Sequence, residues 1–257
     1  MASFAEIAAH LDALLHPERF PDNANAFNGV QVETHADVRR IATAVDARER
    51  TIDAAQAAGA NLLIVHHGLF WRGVLPLRGP VFRRVSALIR HGIGVYSSHI
   101  PLDAHPEYGN NVLLAQALGL TPSSGFANFD GVEIGVAGES DVATEQVVRS
   151  AAEFAAKFAT VARHTPVEAG RRTRRWGICS GAGADVRTLR EAVVRGIDTM
   201  IVGEGPHWSA IDAEEAGIVL IYAGHYATET LGVRALGDHL TARFGIPSTF
   251  IDAPTGL

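Results

Sequence analysis

Four times along the chain, apolar residues at helical spacing run into a glycine, then into a short apolar stretch that ends on a polar residue. The segments are AAGANLLIVHHG, IRHGIGVYSSH, VVRGIDTMIVGE and EEAGIVLIYAGH. A helix-period segment stopped by glycine fits a left-handed C-terminal cap. The apolar stretches that follow are continuous rather than alternating, as in strands buried on both faces of a parallel sheet. Together they predict a strand–helix–strand–helix–strand unit written twice, a degenerate internal duplication. The series is too short for a solenoid, so the expected fold class is α/β, with two facing halves.

The remaining pattern fills in around these segments. Phe4, Ile7, Ala8, Leu11, Leu14 and Leu15 keep helical spacing, and Pro17 and Pro21 then open an irregular stretch with a turn at Asn28–Gly29. Arg39–Ala47 reads as a strand ending near Asp46, followed by helices over 48–58, 81–91 and 111–118. Between the halves lie a hairpin, DGVEIGVAG, a helix over 142–158 and a strand, ATVAR. The second half supplies a strand over 174–183, helices DVRTLREAVVR and WSAIDAEEA, and a strand-like STFID near the end. The expected division is a first half over 1–125, a connecting region over 126–170 and a second half over 171–257, intertwined as one functional unit.

Composition narrows the function classes. A chain of 257 residues with 47% hydrophobic and 19% charged residues can bury a substantial core. Its net charge of −6 argues against a nucleic-acid surface. No apolar run approaches the length of a membrane span, and the first residues lack the basic start and cleavage site of a secretory signal. The single cysteine, Cys179, rules out an intramolecular disulfide and makes a reducing cytoplasm the expected location. Twelve histidines are the unusual feature.

Several of those histidines stand at strand ends, where ligands bind in open α/β sheets. His66, His67, His99 and Asp103 come from the first half, and Glu204, His225 and Glu229 from the second. Adjacent strand side chains point to opposite faces, so His66 and His67 reach one site only if the backbone turns, which Gly68 would permit. His225 and Glu229, four apart, share a face if a helix starts near Gly224. Histidines and carboxylates converging in one crevice form an inventory for divalent transition metals. Their number suits a pair of ions with a bridging carboxylate better than one tetrahedral ion. Singly, each has an ordinary alternative: a loop histidine, a turn aspartate, a capping pair on a solvated face.

The segments IVHHGLFW, SSHIPLD, GEGPHWSA and AGHYATETLG, with FNGVQVE and AVDA before them, resemble the interacting-factor-3-like family with a dinuclear metal centre. Its members are often named GTP cyclohydrolase 1 type 2, and the resemblance runs from about Phe4 to Asp252. It implies two intertwined α/β halves, a ring-shaped homo-hexamer and two metal ions per subunit. One ion would take His66 and Asp103, the other His67 and His225, and Glu229 would bridge them. His99 would be a ligand or an outer partner of one. The short stretch over 126–167 corresponds to the compact form, without an inserted domain.

The implied activity is metal-assisted hydrolysis: attack at C8 of the guanine ring of GTP, ring opening and loss of formate. The residue acting on the water is not identified by sequence, Glu204 being the nearest candidate. No GxxxxGK[ST] loop is present to hold a triphosphate. The run GRRTRRWG offers Arg171, Arg172, Arg174 and Arg175, a pattern more often found as a solvated loop. The competing class is a non-catalytic ring protein that binds metal or a partner. Mixed imidazole and carboxylate ligands suit zinc, iron, manganese, cobalt or nickel.

Overall fold

A computed structural model describes residues 2–256. Strand β1 (Ala2–Ser3) leads into helix α1 (Phe4–Leu15), whose capping box joins Ser3 and Glu6. Strands β2 (Gly29–Val32), β3 (Asp37–Val38) and β4 (Ile41–Asp46) follow, then α2 (Glu49–Ala57), β5 (Leu62–His67), α3 (Gly79–His91) and β6 (Gly94–Ser97). Helices α4 (Ile100–Asp103) and α5 (Asn110–Ala117) lead to a hairpin of β7 (Ser124–Phe129) and β8 (Val132–Ala143). Its two-residue turn puts Asp130 at φ 48° and Gly131 at φ 97°, as right-twisted strands require. Helix α6 (Thr144–Ala156), β9 (Arg163–His164), β10 (Arg172–Cys179), α7 (Val186–Val194), β11 (Thr199–Val202), α8 (His207–Glu215) and β12 (Val219–Tyr222) come next. Helices α9 (His225–Thr228) and α10 (Thr230–Phe244) and strand β13 (Ser248–Phe250) complete the chain.

The fold is α/β. The chain divides into two units: Met1–Leu102 with Gly232–Ala253, and Asp103–Leu231 with Pro254–Leu257. Among the described residues, the first holds the sheet β13-β4-β5-β6-β2 and the second the sheet β7-β8-β10-β11-β12-β9. Three neighbouring strands in each are parallel and in chain order, β4-β5-β6 and β10-β11-β12. Four of these, β5, β6, β11 and β12, are the strands that the repeated glycine-led pattern predicts, and β4 and β10 open each set. The hairpin from the stretch expected to connect the halves pairs through β8 with β10, so it widens the second sheet.

Each unit has its own core. In the first, Ile52 of α2 and Leu88 of α3 pack on Leu63, Val65 and Val95 of the central strands. In the second, Phe126 and Leu189 pack on Met200, Val202 and Leu220. Burying each such side chain stabilises the fold by roughly 1.5–3 kcal/mol.

Two local expectations are corrected. ATVAR forms no strand of its own: Ala159 sits at φ 55°, and only Arg163–His164 pair, along the edge of β12. The strand of the hairpin runs on to Ala143, so α6 begins later than the periodicity implies. The helical spacing of Phe4, Ile7, Ala8, Leu11 and Leu15 in α1 marks its buried face. No helix among the described residues is long and apolar enough to cross a membrane.

Candidate metal centre

Register brings the first set of side chains together. Asp46 at the end of β4 lies opposite His67 at the end of β5, and Val65 lies opposite Ser97 at the end of β6. His66, Asp46, His67, Ser98 and His99 therefore cluster at the carboxyl ends of three adjacent strands. The strand persists through both histidines, so the backbone turn anticipated at Gly68 is not what unites them. Each ring instead leans on a different neighbour: His66 Nδ1 donates to the Ser98 carbonyl (2.9 Å) and His67 Nδ1 to Asp46 (3.0 Å). The ring centroids are 4.8 Å apart. Gly68 answers a different need, because a Cβ there would fall 2.1 Å from the amide nitrogen of Gln31. That amide side chain accepts from Leu69 N (2.6 Å) and donates to the carbonyls of Ala26 and Phe27.

His99 is held in the same way, by Asp22. Its Nδ1 lies 2.7 Å from Asp22 Oδ1, and its backbone N–H donates to Asn28 Oδ1 (2.7 Å). Burial works against ionisation of Asp22, but His99, Asn28 and the Asn23 N–H hold its carboxyl below the usual carboxylate range. Trp71, half-buried, packs edge-on against His99, with centroids 4.7 Å apart. One ring nitrogen from each of His66, His67 and His99 lies within 4.8 Å of the others. A neutral ring that donates from Nδ1 keeps its lone pair on Nε2. The donor set thus fits a divalent transition metal, with the outer oxygens that metal-binding histidines require.

The second unit builds its set from three turns. Ser180 and Gly181 follow β10, Glu204 follows β11, and His225 follows β12, where Gly224 at φ 95° starts the single turn of α9. Glu204 and His225 thus lie beyond the strands, not within them. His225 Nδ1 lies 2.8 Å from Glu204 and its Nε2 3.1 Å from the buried carboxylate of Glu229, so His225 and Glu229 do share one face. Burial alone would lower the pKa of His225, but Glu229 and then Glu204 outweigh it and push it up to about 10. Thr228 Oγ ties the turns together, accepting from Gly181 N (3.0 Å) and donating to the Gly224 carbonyl (3.0 Å).

Asp103, also buried, accepts from Asn110 Nδ2 (2.8 Å) and Ser180 Oγ (3.2 Å). Asn111 braces this corner through the Ser180 N–H (2.7 Å) and the Ile134 carbonyl. Burial, then the charge of Asp103, push the Cys179 thiol well above its ordinary value.

Sequence reasoning missed Asp22, Asn28, Gln31, Asn110, Ser180 and Thr228. Two of them, Asn28 and Gln31, belong to FNGVQVE, where the signal was present but its purpose was not. The basic run is placed differently from a solvated loop. Arg172, Arg174 and Arg175 open β10, at the opposite end of the strand from Ser180 and Gly181. Arg171 donates to the carbonyls of Asp198 and Gly217, Arg172 pairs with Asp141, and Arg175 with Glu139.

Comparison with known proteins agrees with this architecture. A protein named "GTP cyclohydrolase 1 type 2 homolog" from Deinococcus radiodurans is 40% identical over 252 residues, covering 98% of this chain and 94% of that one. One of the same name from Pyrococcus abyssi is 41% identical over 253 residues, covering 98% of both. A crystal structure from Thermus thermophilus superposes with a TM-score of 0.85 at 35% identity, covering 99% of this chain and 100% of that one. The sequence model of the Duf34/NIF3 family, NGG1p interacting factor 3, matches residues 2–255. With that match across nearly its whole length, the chain belongs to the Duf34/NIF3 family.

Proposed function

We propose that this protein is a hydrolase dependent on two divalent metal ions held by His66, His67, Asp103, His225 and Glu229. One observation carries the reading. His66, His67 and His225 all present Nδ1 to an oxygen of their own unit, as metal-binding histidines do, and the Nε2 of His225, paired with Glu229 in the metal-free protein, would give up its proton to an ion. The family resemblance supplies the division: His66 with Asp103 on one ion, His67 with His225 on the other, and Glu229 between them. A pair of divalent ions supplies Lewis acidity and brings the pKa of water toward neutrality. Glu229 provides buried negative charge, and Glu204, half exposed, orients His225 and keeps a carboxylate in reach of solvent for proton transfer.

Ring opening of GTP with loss of formate is the first reaction to test, because it is what the relatives are named for. The arginines nearest in sequence to a phosphate-binding run are engaged at the far end of β10. Hydrolysis of a cyclic amide or a related C–N bond, with or without phosphates, is therefore the class proposed.

A second reading, a ring that binds metal or a partner without turnover, draws on the exposed Val74, Leu75, Leu77, Phe82 and Ile89 of the first unit. Apolar residues in this density suit a protein interface, and with the family resemblance they support a homo-hexamer.

Metal analysis of the purified protein, with a substrate panel of nucleotides and cyclic amides, separates the two. Activity lost on chelation and restored by zinc, iron, manganese, cobalt or nickel supports the hydrolase. Two bound ions without turnover on any substrate supports the binding reading. Light scattering giving a monomer mass would remove the hexamer.

A further inference from the structure

Asp22 stands in the irregular stretch after Pro21, where an aspartate beside asparagines ordinarily marks a turn. Its side chain is only 7% exposed, and four donors converge on the carboxylate. His99 Nδ1 (2.7 Å) and Asn23 N (2.6 Å) meet Oδ1, while Asn28 Nδ2 (2.7 Å) and Ile100 N (3.1 Å) meet Oδ2. Two of these bonds shape the loop. The other two reach a segment more than seventy residues on, and one of them ends on an imidazole.

That imidazole repeats the posture of its neighbours. His66 gives Nδ1 to the Ser98 carbonyl, His67 to Asp46 and His99 to Asp22, and the three rings bring one nitrogen each within 4.8 Å. A turn-forming aspartate has no need of this third bond, whereas a set of three nitrogens does. Neutral imidazole places its proton on either nitrogen, and an acceptor at Nδ1 decides the choice.

We infer that Asp22 is a positioning residue of the metal centre, fixing His99 so that its Nε2 joins those of His66 and His67 as a third nitrogen. The inference rests on the metal-dependent reading above. It adds a ligand, His99, and assigns a role to the N-terminal loop. Asp22 touches no metal and acts through His99 alone.

The test is a double-mutant cycle of Asp22→Ala and His99→Ala on the full-length protein. Metal is stripped by chelation, and Co(II) affinity is then measured by chelator competition together with the visible ligand-field spectrum. Asp22→Ala is expected to weaken Co(II) binding by roughly 10- to 100-fold and to shift the spectrum. His99→Ala should weaken it at least as much, and the double variant no further, since the two act as one unit. Where Asp22→Ala does not fold, Asp22→Asn takes its place in the cycle with the same outcomes. Losses that add independently, or a wild-type spectrum in the Asp22 variant, would overturn the inference and leave the metal-dependent reading standing. Wild-type protein binding no more Co(II) than His66→Ala would end both.

Discussion

A Cβ on Gly181 would lie 2.2 Å from Oε1 of Glu229. The glycine also sits at φ 60°, a conformation that costs other residues roughly 1–2 kcal/mol. A side chain at residue 181 would therefore force the Glu229 carboxylate out of its present position. Gly181→Ala should fold, with a lower melting temperature, and should lose metal because the carboxylate is displaced. Elemental analysis of the chelated and reloaded variant checks this. Full metal content would show that Glu229 is not needed where the structure puts it.

Different ligands should fail differently. A bridging Glu229 serves two ions, so Glu229→Ala should empty or weaken both. His67→Ala should mainly remove the ion shared with His225 and leave the His66–Asp103 ion partly occupied. The readout is metal per subunit after loosely held ions are dialysed away. Two tight ions in Glu229→Ala, with none in His67→Ala, would reverse the assignment.

His225 gives a pH signature. Its pKa is raised to about 10 by Glu229 and Glu204 against the opposing effect of burial. In metal-free protein its contribution to stability is complete below the unfolded value of about 6.5 and is lost as pH rises through about 10. Metal must displace the Nε2 proton, so loading at a pH of about 7.5 should release about one proton from this residue. Calorimetric titration in buffers of different ionisation enthalpy measures it. Heats independent of buffer would exclude a charged His225 in the metal-free protein.

A second histidine pair responds in the opposite direction. His10 of α1 and His239 of α10 meet Nε2 to Nε2 at 2.8 Å, with rings 7° from parallel. One ring must donate and the other accept, so both cannot be protonated there. Burial first, then the charges of His239 and Arg243, lower the pKa of His10. Its contribution is thus present above about 6.5 and lost as pH falls through the folded value. Melting temperature in the presence of chelator should fall from about pH 7 to about pH 5 more steeply for wild type than for His10→Gln. Parallel curves would rule this pair out as an acid-labile contact.

What could be read from sequence depended on how local the cause was. The run Leu62–Val65 was legible as a buried strand because its apolar residues are continuous, while the two histidines after it, which alone fit a loop as well as a site, gained meaning only beside the other strand ends. Gly224 and the spacing of His225 and Glu229 were equally legible, since one helical turn fixes both. Asp22 was not, because its meaning comes from His99, far along the chain, and nothing beside it in sequence distinguishes it from a turn residue. Gly68 was misread for a related reason: the side chain that excludes a Cβ belongs to Gln31, on another strand. ATVAR misled because its apolar alternation suggests a strand, while pairing depends on what lies alongside.

The oxygens that hold the candidate ligands all come from the ligands' own units: Ser98, Asp46 and Asp22 in one, Glu204 in the other. Each group of rings is consequently set in place by ordinary folding of its sheet, before any ion arrives. Small zinc domains work the other way, gaining their fold from the metal. Here the apoprotein should keep its secondary structure and its cooperative melt, and metal exchange becomes a reversible event on a finished scaffold. Scarcity of one ion in the cell would then leave the protein folded and waiting, open to whichever competing ion is most abundant.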